Sequence, residues 1–197
     1  MAGRPLRLLP DGWIEGVRQV ASPNHDARPE GVPVELLLLH NISLPPGQFA
    51  GGCIERLFCN RLDSHPHPFM ALLDGLRVSA HFLIERSGRI TQFVGCHERA
   101  WHAGLSSFEG RAGCNDFSVG IELEGTDFTA FAPAQYLALA DLTRALRDGL
   151  PLRAVRGHSD VAAGRKTDPG PLFDWQRFAA QARLPDGWLL GPRAGRA

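Results

Sequence analysis

The stretch GHSDVAAGRKTDPGP, residues 157–171, gathers a histidine, a lysine and a carboxylate in one short segment. Lys166 and Asp168 are two apart, so in extended chain their side chains project to the same side. Pro169 disfavours the helical region for the residue before it and keeps Asp168 extended. Gly157, lacking a side chain, leaves room for a close approach to the backbone beside His158. These residue types aimed into one place are the material of a site. A solvated Lys/Asp pair beside a surface histidine is the ordinary alternative for such a trio taken alone.

His40 ends the apolar run ELLLLH. Strand ends of a covered sheet are where sites open, although a lone histidine there is commonly a hydrogen-bonded structural residue. It gains chemical meaning if it converges with His158 and Asp168. Two imidazoles and a carboxylate are N and O donors that suit Zn²⁺. Three protein ligands also leave a tetrahedral zinc its fourth position for water, as catalytic sites require.

A carboxylate beside such a water would be the general base of a zinc hydrolase. Glu122 and Glu124 share the polar face of an alternating segment with Ser118 and Gly120. By geometry the two are equal candidates, and a solvated face is the alternative. RAWHAG supplies Trp101 and His102, which either pack in the core or offer a stacking platform for a sugar. His65 and His67 alternate with Pro66 and Pro68 in a spacing that suits no familiar metal site, and read as loop structure. His81 lies among apolar residues, as a satisfied core or outer-sphere histidine does; His25 and His97 carry no case.

The elements that must position these groups follow from periodicity and punctuation. Residues 34–39 are apolar apart from Glu35, the pattern of a strand covered on both faces. Residues 41–52 and 60–75 read as loops, with a short helix over 53–59 between them. RVSAHFLIE, residues 77–85, and the segment 89–94 are joined by Ser87-Gly88 and read as a hairpin. Residues 117–124 alternate as a strand does. Pro133 opens a helix in its first turn, Tyr136, Leu139, Leu142 and Leu146 form its buried stripe, and Gly149 stops it at the C′ position. Ala154-Val155 is a short strand leading to His158, and Asp174 caps a final helix over residues 175–182. This order predicts an α/β fold, a single-domain mixed central β-sheet flanked by helices over residues 1–197, with its core at about 11–182.

A length of 197 residues fits one domain. A formal net charge of zero gives no electrostatic footprint for nucleic acid or an anionic membrane. No apolar run reaches membrane-spanning length. The N-terminus MAGRPLRLLPDGWIEG lacks the apolar region and small-residue cleavage site of a secretory signal. Cys53, Cys59, Cys96 and Cys114 include no C-x-x-C pair and read as reduced, buried thiols. The expectation is a cytoplasmic monomer without nucleic-acid or membrane partners, its C-terminal GPRAGRA frayed.

The stretches LLLHNISLPPGQFAGG, LRVSAHFLIERSGRITQFV, RAWHAG, CNDFSVGIELEGTD and GHSDVAAGRKTDPGPLFDW together resemble the zinc N-acetylmuramoyl-L-alanine amidases. That family includes phage T7-type lysozyme and the peptidoglycan recognition proteins, and the match is to its AmpD branch. The resemblance implies zinc ligands at His40, His158 and Asp168, and a catalytic carboxylate at Glu122, which separates it from Glu124. It implies that Lys166 stabilises developing charge, that Asn41 and Trp101 line the substrate cleft, and that Arg77 and Arg111 are partners for the peptide or its carboxylates. Gly113 stands where some relatives carry a basic residue, which puts one peptide-carboxylate contact in question. The implied activity is zinc-dependent hydrolysis of the amide between (1,6-anhydro)-N-acetylmuramic acid and L-alanine in cytosolic peptidoglycan recycling, with a muropeptide as substrate. An endolysin-like amidase acting on polymeric wall and a non-catalytic peptidoglycan-binding module are the competing readings. The full set of ligands, Glu122 and Lys166 argues against the module. No Gly-x-Ser-x-Gly elbow supports a serine hydrolase.

Overall fold

The computed structural model of the chain describes residues 5–62 and 67–189. His65 and the C-terminal GPRAGRA, both read above, lie outside the described residues. The centre of the molecule is a six-stranded mixed sheet. Its strands are β1 (Arg18–Gln19), β2 (Leu36–Ile42), β3 (Phe82–Ile84), β4 (Ile90–Gln92), β5 (Ser118–Glu124) and β6 (Ala154–Gly157). They lie in the order β6-β2-β5-β3-β4-β1. β6, β2, β5 and β3 run parallel, β3 and β4 form the antiparallel hairpin, and β1 is parallel to β4.

The apolar run places β2 in the middle of the parallel part because it has no polar face to turn to water. Leu37 and Leu39 pack with Val119, Ile121 and Leu123 in a cluster that reaches the helices α2 (Pro133–Gly149) and α4 (Trp175–Ala182). Leu36 and Leu38 face the other way, against Ala103, Phe108, Phe117 and Val161. All four leucines have no exposed surface, and each such burial stabilises by about 1.5–3 kcal/mol. α2 is anchored through Gln135, whose side chain accepts from Ala132 N–H and donates to the carbonyls of Ile84 and Glu124 at the ends of β3 and β5. Asp174 caps α4 by accepting from Arg177 N–H at 2.9 Å. A second buried cluster joins α1 (Cys53–Phe58) to Leu44, Met70, Ala80 and Phe93.

Four expectations need correction. The first strand of the hairpin is confined to Phe82–Ile84. Ser79 is tied instead to Trp101, and the His81 ring, not a main-chain carbonyl, accepts from Gly120 N–H. The supposed loop 60–75 contains a 3₁₀ helix, Pro68–Leu73, and His67 caps it by accepting from Phe69 N–H. Gly149 is the last helical residue and not a left-handed stop; a side chain there would lie 2.7 Å from Leu8. His158 does not simply follow a strand but opens a four-residue helix, α3 (His158–Val161). Among the described residues no helix is long and apolar enough to cross a membrane, and all four cysteines are free and buried.

Candidate metal centre

Because β6, β2 and β5 are parallel neighbours, their C-terminal ends meet at one edge of the sheet. His40 on β2 stands in register with Glu122 on β5, and Gly157 of β6 with Leu39. His158 therefore starts α3 beside His40. The chain brings Asp168 back against that start, where Ser159 N–H donates to its carbonyl at 2.9 Å. Gly157 permits this return, since a Cβ there would lie 2.7 Å from Pro169 Cδ. Asn41 secures the same loop by donating to Pro169 O at 3.1 Å and to Asp127 Oδ1 at 2.7 Å.

Three side-chain atoms converge at this edge. His40 Nδ1 lies 3.0 Å from His158 Nδ1 and 2.9 Å from Asp168 Oδ2, and His158 Nδ1 lies 3.1 Å from the same oxygen. His158 Nε2 faces the Ala103 carbonyl at 2.9 Å. A carbonyl only accepts, so Nε2 carries the proton and Nδ1 of the neutral ring presents a lone pair. Electron-rich atoms packed this closely call for a cation among them. The donor set suits Zn²⁺. A tetrahedral ion at about 2.0–2.2 Å from each donor has ligand–ligand edges of about 3.3–3.6 Å, so the observed triangle needs to open by only about half an ångström. The residues present fit such a metal.

The electrostatics agree. Burial lowers the pKa of His40, outweighing the opposite pull of Asp168, and so favours the neutral ring a metal ligand must be. Burial pulls Asp168 upward, but the imidazoles of His158 and His40 packed against it outweigh this and hold the carboxyl well below the usual carboxylate range. Glu122 is pushed well above that range by burial, reinforced by the charge of Asp168 and opposed by Lys166. Its Oε2 is buried with no hydrogen-bond partner. Glu124, by contrast, uses both oxygens on main-chain N–H groups, Ala50 at 2.5 Å and Arg86 at 3.1 Å. The two carboxylates that the strand pattern left equal are thus separated: Glu124 holds loops, and Glu122 has an oxygen free.

Lys166 is exposed, and its charge acts on both His40 and Glu122. Trp101 is half-buried, with its main-chain N–H donating to Ser79 Oγ. Arg77 is exposed and bonds the adjacent Leu76 carbonyl at 3.4 Å. Arg111 stacks over Phe117 at 4.1 Å and pairs with Glu35 at 3.2 Å. The structure does not place either arginine in the convergent cluster. Gly113 caps the 3₁₀ turn Cys114–Asp116 with φ 74°, in the left-handed region that favours glycine. His102 stands next to His40, with Nδ1 at 3.0 Å from His40 Nε2. His81 sits behind it, its ring 5.7 Å from that of His102. Sequence reasoning left His102 undecided, because the only local signal was its place between Trp101 and Ala103.

The family model described as N-acetylmuramoyl-L-alanine amidase matches residues 30–171. Over 173 residues the chain is 55% identical to the Escherichia coli K12 protein named 1,6-anhydro-N-acetylmuramyl-L-alanine amidase AmpD, covering 87% of this chain and 94% of that one. The crystal structure of a selenomethionine AmpD derivative matches with a TM-score of 0.85 at 52% identity, over 88% of this chain and 98% of that one. The amidase AmiD from E. coli, solved with the substrate anhydro-N-acetylmuramic acid-L-Ala-D-γ-Glu-L-Lys, matches with a TM-score of 0.56 at 29% identity, over 90% of this chain and 65% of that one.

Proposed function

The chain belongs to the N-acetylmuramoyl-L-alanine amidase family, and on that premise we propose that it hydrolyses the amide between 1,6-anhydro-N-acetylmuramic acid and the L-alanine of the stem peptide, with Zn²⁺ held by His40, His158 and Asp168. The observation that carries this reading is the proton-poor triangle of His40, His158 and Asp168 beside a buried carboxylate with a free oxygen. Bound there, Zn²⁺ supplies a Lewis-acid charge that makes water acidic near neutral pH and polarises the scissile carbonyl. Glu122 takes the proton of the attacking water and hands it to the departing amine of L-alanine. Burial raises its pKa, so the carboxyl holds a proton more tightly than a free one, which favours taking the water's proton before passing it on. Lys166 meets the negative charge that develops on the carbonyl oxygen.

Trp101 offers its ring to the sugar, and Asn41 acts at the cleft while bracing the Asp168 loop. Arg77 and Arg111 supply positive charge for the stem peptide's carboxylates. We read the chain as one amidase domain that recycles excised muropeptides in the cytoplasm. Four free, buried thiols suit a reducing compartment. The test is release of peptide from 1,6-anhydro-N-acetylmuramyl-tripeptide, followed by mass spectrometry, with whole sacculi as the comparison substrate. Release that stops with a chelator and returns with Zn²⁺ is expected. A folded, zinc-loaded protein that leaves the soluble substrate intact but digests sacculi would overturn the recycling role in favour of an endolysin-like one.

A further inference from the structure

Both histidines of the triangle turn Nδ1 inward, and each is held that way by the segment 102–103. His158 Nε2 meets Ala103 O at 2.9 Å, and His40 Nε2 meets the side chain of His102, Nδ1 at 3.0 Å. The second contact is ambiguous in isolation, because a neutral imidazole can donate or accept at either nitrogen. The far side of His102 removes the ambiguity. Its Nε2 lies 3.3 Å from Ser118 Oγ. The Ser118 hydroxyl hydrogen is committed to Cys114 O at 2.6 Å, so Oγ is left to accept from His102. With its proton on Nε2, His102 presents a bare Nδ1, which accepts from His40 Nε2–H. His40 must then leave its own Nδ1 unprotonated and facing Asp168 and His158.

We propose that His102 and Ser118 are positioning residues: a relay from the Cys114 carbonyl through Ser118 and His102 selects the His40 tautomer whose Nδ1 lone pair points at the metal position. The inference rests on the reading of His40, His158 and Asp168 as metal ligands. The surrounding construction serves this relay. Asn115 Oδ1 accepts from the N–H groups of His102 and Ala103 at 3.2 and 2.8 Å and so fixes the segment that orients both rings. Gly120 makes the space, for a Cβ there would lie 2.5 Å from His102 Cγ and Nδ1. Outer partners that fix ring orientation are typically worth about 10–100-fold in metal affinity.

The first measurement is long-range ¹H–¹⁵N NMR of the imidazoles in the metal-free wild-type protein, at a pH where the rings are neutral. The expected spectrum shows His102 protonated on Nε2 and bare at Nδ1. A proton on Nδ1 of His102 overturns the relay. The second is Zn²⁺ affinity by competition with a chromophoric chelator. His102→Phe keeps a ring but offers no acceptor, and should bind Zn²⁺ about 10–100-fold more weakly. His102→Asn returns an acceptor near the position of Nδ1 and should recover most of that loss. Equal losses in the two variants would mean that His102 only fills space, and would also overturn the proposal. Failure of the wild-type protein to take up Zn²⁺ would sink the metal-site reading itself, and is distinguishable from either result.

Discussion

Glu122→Gln preserves volume and removes an ionisable group, and it should separate catalysis from metal binding and from stability in one variant. Glu122 is not one of the three convergent donors, so Zn²⁺ content should stay at the wild-type level. Turnover of the anhydromuramyl tripeptide should fall by about 10²–10⁴, the usual contribution of a positioned base, which is about 3–5 kcal/mol of transition-state stabilisation. The metal-free protein should respond in the opposite sense. Burial and Asp168 raise the pKa of Glu122 in the folded state, so the folded protein binds a proton there more tightly than the unfolded chain does. Stability from this group is therefore full below its unfolded pKa of about 4.3 and is lost as pH rises through the folded value. The variant has no such loss. Urea denaturation with a chelator present, at pH 5 and pH 8, should show the variant gaining on wild type as pH rises. Wild-type turnover in the variant would remove Glu122 as the base. A stability difference that does not change with pH would refute the account of its burial.

Three further outcomes follow from the geometry. Asp168→Ala should lose most Zn²⁺, read by metal analysis after dialysis, because it takes away the only anionic member of the triangle; full occupancy would remove Asp168 from the ligand set. Lys166→Ala should lower kcat more than it raises KM, with a cost of up to about 3–4 kcal/mol if it acts as an oxyanion donor does; a change in KM alone would make it a binding residue. Gly170→Ala should destabilise the protein by about 1–3 kcal/mol in denaturant titrations, since Gly170 has φ +87° and its Cβ would lie 2.6 Å from Asp127 Oδ1. Unchanged stability would show that the Asp168 loop is not seated as described.

The parts of the fold that could be read in advance are those whose sequence leaves no choice. Four consecutive leucines have no polar face, so β2 had to be covered on both sides, and the alternation from Ser118 to Glu124 could only be a strand. β1 is two residues, Arg18–Gln19, both exposed, and carries no pattern to find. The 77–85 segment has strand composition throughout, but Ser79 exchanges hydrogen bonds with Trp101, and the His81 ring takes the Gly120 N–H that a strand would meet with a carbonyl. The site divides in the same way. The types of His40, His158 and Asp168 suggested a metal, whereas their convergence depends on three elements meeting at one sheet edge. Glu122 and Glu124 could not be told apart on residue pattern, because what separates them is a pair of N–H groups from Ala50 and Arg86. His102 was undecidable, for its partners His40 and Ser118 lie on two different strands.

The register between β2 and β5 has an implication for how such a protein can diverge. His40 and Glu122 are directly paired across neighbouring strands, so their spacing is set by the inter-strand distance of about 4.8 Å. A slip of one residue would turn Glu122 to the other face and present Leu123 in its place. The His40–Glu122 spacing is therefore set within the sheet, and the long connection over residues 43–81 begins only after β2 has passed that rung. Insertions and deletions in that connection that spare Ala50, Ser79 and His81, which hold Glu124, Trp101 and Gly120, can reshape the approach to the centre while leaving the His40–Glu122 spacing untouched. Redesign of the approach to the centre has most freedom there, and almost none in the sheet.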